Sequence, residues 1–143
     1  MKKVAVFGTF DILHPGHINF LKQAKSLGQY LLVIVARDKF VQQAKTAPPI
    51  NNEQKRLSTL RRANLMDKAI LGSKTHNYFH TLRSNAITTI ALGYDQKPSI
   101  PILKKELKIH QLKNIAVKRL RAFKPNLFKS SIIKLNEMRL NAK

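Results

Sequence analysis

Cysteine is absent from the 143 residues, and that single absence excludes a disulfide framework, a thiolate zinc site, an iron–sulfur cluster and a cysteine nucleophile. Zinc could be held only by histidine and carboxylate. Acidic residues are scarce as well: 7 Asp plus Glu stand against 27 Lys plus Arg, a formal net charge of +20 with a pI of about 10.7. A field of that sign recruits anions, whether nucleic acid, acidic membrane or small phosphorylated substrates. Long apolar runs are missing too. The opening MKKVAVFGTFD has the charged tip of a leader, but its apolar run of about five residues is broken by Gly8 and Asp11. No stretch approaches the roughly 18 apolar residues of a membrane span, so a cytoplasmic protein without a membrane partner is expected. One domain, residues 1–143, fits this length.

The residues that are present alternate in type. KVAVF at 3–7 is a short apolar run ended by Gly8, the mark of a buried parallel strand. YLLVIVA at 30–36, DKAIL at 67–71, AITTIAL at 86–92 and NIAVKRL at 114–120 repeat it. Between them, 15–27 opens on Pro15 and stops before Gly28, the usual punctuation of a helix. Segments near 52–64, 76–84, 99–108 and 129–140 also read as helical, and KTAPPINN at 45–52 is the one loop rich in breakers. Strands alternating with helices predict an α/β fold: a single Rossmann-like, doubly wound, parallel five-stranded sheet with helices on both faces. In such a sheet ligands bind beyond the carboxyl ends of the strands, near the point where the winding reverses.

Because acids are rare, their positions carry information: Asp11, Asp38 and Asp95 each fall just past a predicted strand. Helix or turn capping is the plain account of such residues. The stretch GTFDILHPGHINF at 8–20 is richer. Gly8 allows a sharp turn, and a helix starting at Pro15 aims its positive end and free N–H groups at the same space, a combination that cradles phosphate. His14 and His17 share one face of that first turn. Three readings compete for the pair: a metal site, for which Asp11 would have to supply the missing ligand; plain packing at a helix start; and imidazoles that meet the charge developing on a phosphoryl group. The third is favoured, because two polar rings beside a phosphate-type loop make poor filler.

HPGH at 14–17, inside GTFDILHPGHINFLKQAKSLG, resembles the H-x-G-H nucleotidyltransferase superfamily in its small cytidylyltransferase-like branch. The likeness extends through VARDKFV at 35–41, EQKRL at 53–57, ALGYDQ at 91–96 and FKSSII at 128–133. It implies a single displacement in which an acceptor phosphate attacks the α-phosphorus of a nucleoside triphosphate and pyrophosphate leaves. By that resemblance Gly8, Thr9, Phe10, Pro15 and Gly16 line the nucleotide, while His14 and His17 stabilise the pentacoordinate phosphorus. Lys45 and Arg56 would hold phosphates, Gly93 and Asp95 would lie beside the ribose and base, and Ser130 and Ser131 would donate to the outer phosphates. A divalent metal, magnesium or similar, is expected to bridge the triphosphate, with Asp11 as its protein contact.

The last-helix motif departs from the cytidylyltransferases, having Lys124 where an arginine aligns and no glycine. The endings ARD, AILG, ALGYDQ and KSS look closer to the archaeal-type FAD synthases. The leading expectation is therefore AMP transfer from ATP to the phosphate of FMN, giving FAD. The same scaffold could serve another phosphorylated acceptor: glycerol 3-phosphate with CTP, a sugar phosphate, or phosphopantetheine. A nucleic-acid-binding module is the rival of another class, drawn from the charge and from VKRLRAFK at 117–124. It lacks aromatic residues interleaved with the basic run. A homodimer is the default assembly for a small enzyme.

Overall fold

The computed structural model describes residues 1–44, 49–75 and 77–123. Its elements run β1 (Lys3–Gly8), α1 (Pro15–Lys25), β2 (Tyr30–Val35), α2 (Asp38–Ala44), α3 (Glu53–Ala63), β3 (Lys68–Leu71), α4 (Tyr78–Ser84), β4 (Thr89–Leu92), α5 (Ile100–Ile109) and β5 (Ala116–Arg119). The five strands form one sheet in the order β3-β2-β1-β4-β5, and every pairing is parallel. The winding therefore reverses between β1 and β4, as the doubly wound expectation requires. All five expected strands are present, β4 and β5 shorter than their apolar runs. The short helix α2, expected only as a helical turn after Asp38, is an addition. The expected helix at 129–140 lies outside the described residues.

The continuous apolar strands are explained by helices on both faces. Val4, Val6, Leu31, Val33, Val35 and Ala91 turn toward one side, where they meet Leu21 and Ala24 of α1 and Leu57 and Leu60 of α3. The alternate residues Ala5, Leu32, Ile34, Ile90, Leu92 and Val117 meet Leu82 of α4 and Leu103 and Leu107 of α5. Each fully buried leucine contributes about 1.5–3 kcal/mol, so the two apolar layers make β1 and β2 a rigid base. On that base β1 ends beside β2 at the Gly8–Val35 pair, and the loop after Gly8 starts from a fixed point.

Two connections close tightly. Gly28 ends the α1–β2 turn so near the N-terminus that a Cβ there would lie 2.5 Å from the Lys2 carbonyl oxygen. On the other face, Tyr78 stacks edge-on against Phe7 with ring centroids 5.4 Å apart and its hydroxyl donates to Glu106 at 2.9 Å. Burial and that carboxylate push the Tyr78 phenol up to about 12. The pair ties α4 to α5 and uses the one acidic side chain of α5.

Candidate active site

The first turn of α1 carries no acidic residue, and its basic residues, Lys22 and Lys25, stand in the last turn. The positive end of the helix thus faces the sheet's carboxyl edge without a neutralising side chain of its own, the arrangement that attracts an anion. Pro15 supplies the fixed φ of the first helical position. His14 is the N-cap, in extended conformation, and its Nδ1 accepts from the Gly16 N–H at 3.0 Å. An accepting Nδ1 carries no proton, so neutral His14 holds its proton on Nε2.

His17, one turn on, stacks on His14 with ring centroids 3.8 Å apart and planes 24° from parallel. Two charged imidazoles at that distance would repel each other. Phe10 packs edge-to-face with His17, centroids 5.3 Å apart. To do so Phe10 takes a left-handed backbone conformation, φ 51°, and folds its ring back over Gly8. A Cβ on Gly8 would lie 2.5 Å from that ring. Gly8, Phe10, His14 and His17 are one packed unit, brought together by the β1–α1 turn.

Burial lowers the His14 pKa below its ordinary 6.5. The unfolded chain therefore binds more protons than the native one as pH falls past about 6.5, so this residue's effect is flat above that value and costs stability progressively below it. Urea midpoints between pH 7 and pH 5 are expected to fall less steeply in His14→Asn than in the parent chain. Equal slopes would remove this account.

Beyond β4, Gly93 sits at the head of a tight turn, with the Gln96 N–H donating to the Gly93 carbonyl at 3.1 Å. The Gln96 side chain accepts from the Gly93 N–H at 3.0 Å and donates to the Phe7 carbonyl at 2.9 Å. It locks the β4 turn onto the end of β1. Arg119 adds bonds from β5 to the carbonyls of Gly93 and Gln96 at 2.9 and 2.5 Å. Asp95 stands exposed in this turn, beyond the strand next to β1. Gln96 was invisible as a site residue, although it lies within the ALGYDQ motif; its role depends on which strand is the neighbour.

Two expected site residues are turned to other tasks. Asp11 is buried, 4% exposed, and its two carboxylate oxygens accept from the Ile50 and Asn51 N–H groups at 2.7 and 2.8 Å. Arg56 has a side chain with 0% exposure, and it donates to the Asp38 carboxylate at 2.6 Å, the Thr9 carbonyl at 2.9 Å and the Asn51 carbonyl at 3.0 Å. The Arg56 guanidinium is thus buried among protein oxygens, and the Asp11 carboxylate holds two amides of the loop before α3. Asp38 is the first residue of α2. Its second oxygen accepts from the Glu53 N–H at 3.2 Å while Glu53 returns the bond to the Asp38 N–H at 3.0 Å. Lys45, Ser130 and Ser131 lie outside the described residues. Among the described residues no group of three His, Cys, Asp or Glu side chains could hold a metal ion.

The Cytidylyltransferase-like family matches residues 5–136 of the chain. The FAD synthase of Thermococcus sibiricus is 40% identical over 136 residues, 95% of this chain and 88% of its own length. That of Methanosarcina mazei is 47% identical over 107 residues, 75% of this chain and 69% of its own. Among solved structures, the lipopolysaccharide core biosynthesis protein from Thermoplasma volcanium superposes with a TM-score of 0.80 at 34% identity, covering 86% of this chain and 98% of that one. A pantoate-beta-alanine ligase from Francisella tularensis, at 15% identity and TM-score 0.62, covers 94% of this chain and 68% of its own and shares the fold alone. With a stacked histidine pair at the head of its first helix and relatives of this similarity along most of its length, the chain belongs to the cytidylyltransferase-like nucleotidyltransferases, together with the archaeal FAD synthases.

Proposed function

We infer that this protein transfers AMP from ATP to the phosphate of FMN, giving FAD and pyrophosphate. The observation that carries the reading is the His14–His17 stack on the positive end of α1, in a chain 40% identical to an FAD synthase over 95% of its length. An FMN phosphate oxygen forms a bond to the α-phosphorus of ATP, and the bond to the β-phosphate oxygen breaks. The nucleophile is already an anion, so no general base is required and the work is positioning and charge stabilisation. The Nε2–H of His14 and the His17 imidazole are the donors for the charge that gathers on the α-phosphoryl oxygens. Their rings are held in place before substrate arrives, one by the Gly16 amide and the other by Phe10.

By family resemblance Gly93 and Asp95, in the turn after β4, are assigned to the nucleoside, and Lys45, Ser130 and Ser131 to the phosphates. Each oxygen of Asp11 accepts one backbone amide, so Asp11 would be at most one ligand among several. A divalent cation would enter with ATP as part of the substrate, largely ligated by phosphate and water. The field of the net +20 charge favours both anionic substrates. The reading extends to a cytoplasmic homodimer, the commonest assembly for an enzyme of this size.

The direct test is pyrophosphate release by the purified protein with magnesium or manganese, over ATP or CTP against FMN, glycerol 3-phosphate, phosphopantetheine and a sugar 1-phosphate. Release with ATP and FMN alone is expected. Release with a different pair would replace the substrate and leave the phosphoryl chemistry in place.

A further inference from the structure

We propose that Arg56, with Asp38 as its anchor, is a positioning residue that sets the place of His17 through the backbone of Thr9 and Phe10. The proposal rests on the nucleotidyl-transfer reading for its catalytic consequence and on geometry alone for its structural part. The guanidinium reaches three segments that are remote in sequence: the Thr9 carbonyl just after β1, the Asp38 carboxylate at the head of α2, and the Asn51 carbonyl just before α3. Its fixed planar fork suits three oxygens in three directions, which a single ammonium on a flexible stem cannot reproduce.

The stretches it joins are tied a second time. Asp11 accepts from the Ile50 and Asn51 amides, and the Asn51 side chain donates back to the Asp11 carbonyl at 2.6 Å. Thr9 is thus held by Arg56 and Asp11 by residues 50–51, and between them stands Phe10 in its left-handed conformation. Phe10 has little freedom of its own: its ring lies over Gly8 and its edge meets His17. A shift of the Thr9 carbonyl therefore moves the Phe10 ring, and with it the ring that orients His17.

Anchoring comes from the other side of Asp38. The reciprocal bonds between Asp38 and Glu53 join the heads of α2 and α3. Arg37 extends the network, donating to Glu53 at 3.1 Å and to the Gly72 carbonyl beyond β3 at 2.8 Å. The carboxyl ends of β1, β2 and β3 are in this way joined by one set of charge-assisted bonds, with Arg56 as the only described member that touches the histidine loop's backbone at Thr9.

The discriminating variant is Arg56→Lys. A lysine serves well as a phosphate ligand, so an arginine that touched substrate phosphate would be largely replaced by it. A positioning arginine would not. Steady-state rates for Arg56→Lys and Asp38→Asn, taken well below their melting temperatures, are expected to show kcat reduced by up to about 100-fold, with KM for ATP changed far less. Deuterium uptake of the peptides covering 8–17 and 49–52, in protein without nucleotide, is expected to quicken in both variants and to stay unchanged in Lys105→Ala. Near wild-type kcat in Arg56→Lys, or unchanged uptake in both peptides, overturns the proposal. If Arg56→Lys does not fold, Asp38→Asn, which removes the anchor and keeps the guanidinium, decides it by the same readouts. Should the wild-type chain release no pyrophosphate from ATP and FMN, the substrate reading falls, and deuterium uptake still decides whether the clasp holds the loop.

Discussion

Replacing His17 by alanine is expected to lower the rate of pyrophosphate release by about 10²–10³-fold, the scale of removing one preorganised donor to developing transition-state charge. The melting temperature should change little, because His17 is not the cap of α1 and its backbone position is held by the helix. His14 separates the same two effects in another way. As N-cap it accepts from the Gly16 N–H, and loss of such a cap costs about 0.5–2 kcal/mol. His14→Ala is therefore expected to lose both turnover and stability. His14→Asn supplies an oxygen to the same amide and should lose turnover alone. Rates and urea midpoints for the three variants check this. A His17→Ala enzyme with unchanged rate would remove the imidazole from the mechanism, and a His14→Asn protein as unstable as His14→Ala would remove the cap.

Gly8→Ala is the second large expected effect. The new Cβ would stand 2.5 Å from one ring carbon of Phe10 and 2.7 Å from another, and the ring cannot step aside freely because it is 5% exposed and packed on His17 and Phe20. Overpacking of this kind costs about 1–3 kcal/mol. Relief by displacement of Phe10 would carry the His17 ring with it, so turnover is expected to fall further than the stability loss alone accounts for at a temperature where the variant is folded. Adding Phe10→Leu to Gly8→Ala should restore much of the stability without restoring the rate. Equal stability of Gly8→Ala and the parent chain, measured by urea unfolding, would show that the ring does not lie where it is described.

These expectations differ in how far they could be read from the chain. The pattern HPGH after Gly8 located the histidine pair, because the periodicity of a helix puts residues three apart on one face wherever that helix is packed. Their stacking, and the capping bond that decides which His14 nitrogen bears the proton, depend on side-chain torsions that the spacing leaves open. Arg56 shows the opposite case. Its place in EQKRL is easily found, yet its bonds to Thr9, Asp38 and Asn51 are not, because an arginine near phosphate chemistry and an arginine buried among three oxygens look alike in one dimension. The bonds of Asp11 were hidden in the same way: a carboxylate past a strand end is equally suited to a cation and to two amides from a loop 39 and 40 residues on.

By itself the sequence determined the fold class, the number of strands and the position of the histidine loop. Short apolar runs of β-forming residues separated by capped helical segments leave few arrangements other than a parallel, doubly wound sheet. The tertiary structure alone decided which polar groups at the sheet's carboxyl edge are spent on one another. Those pairings join Thr9 to Arg56, Asp11 to Asn51 and Phe7 to Gln96 across separations that carry no local signal, and they exist because polar groups taken out of water at the sheet's carboxyl edge must find partners there.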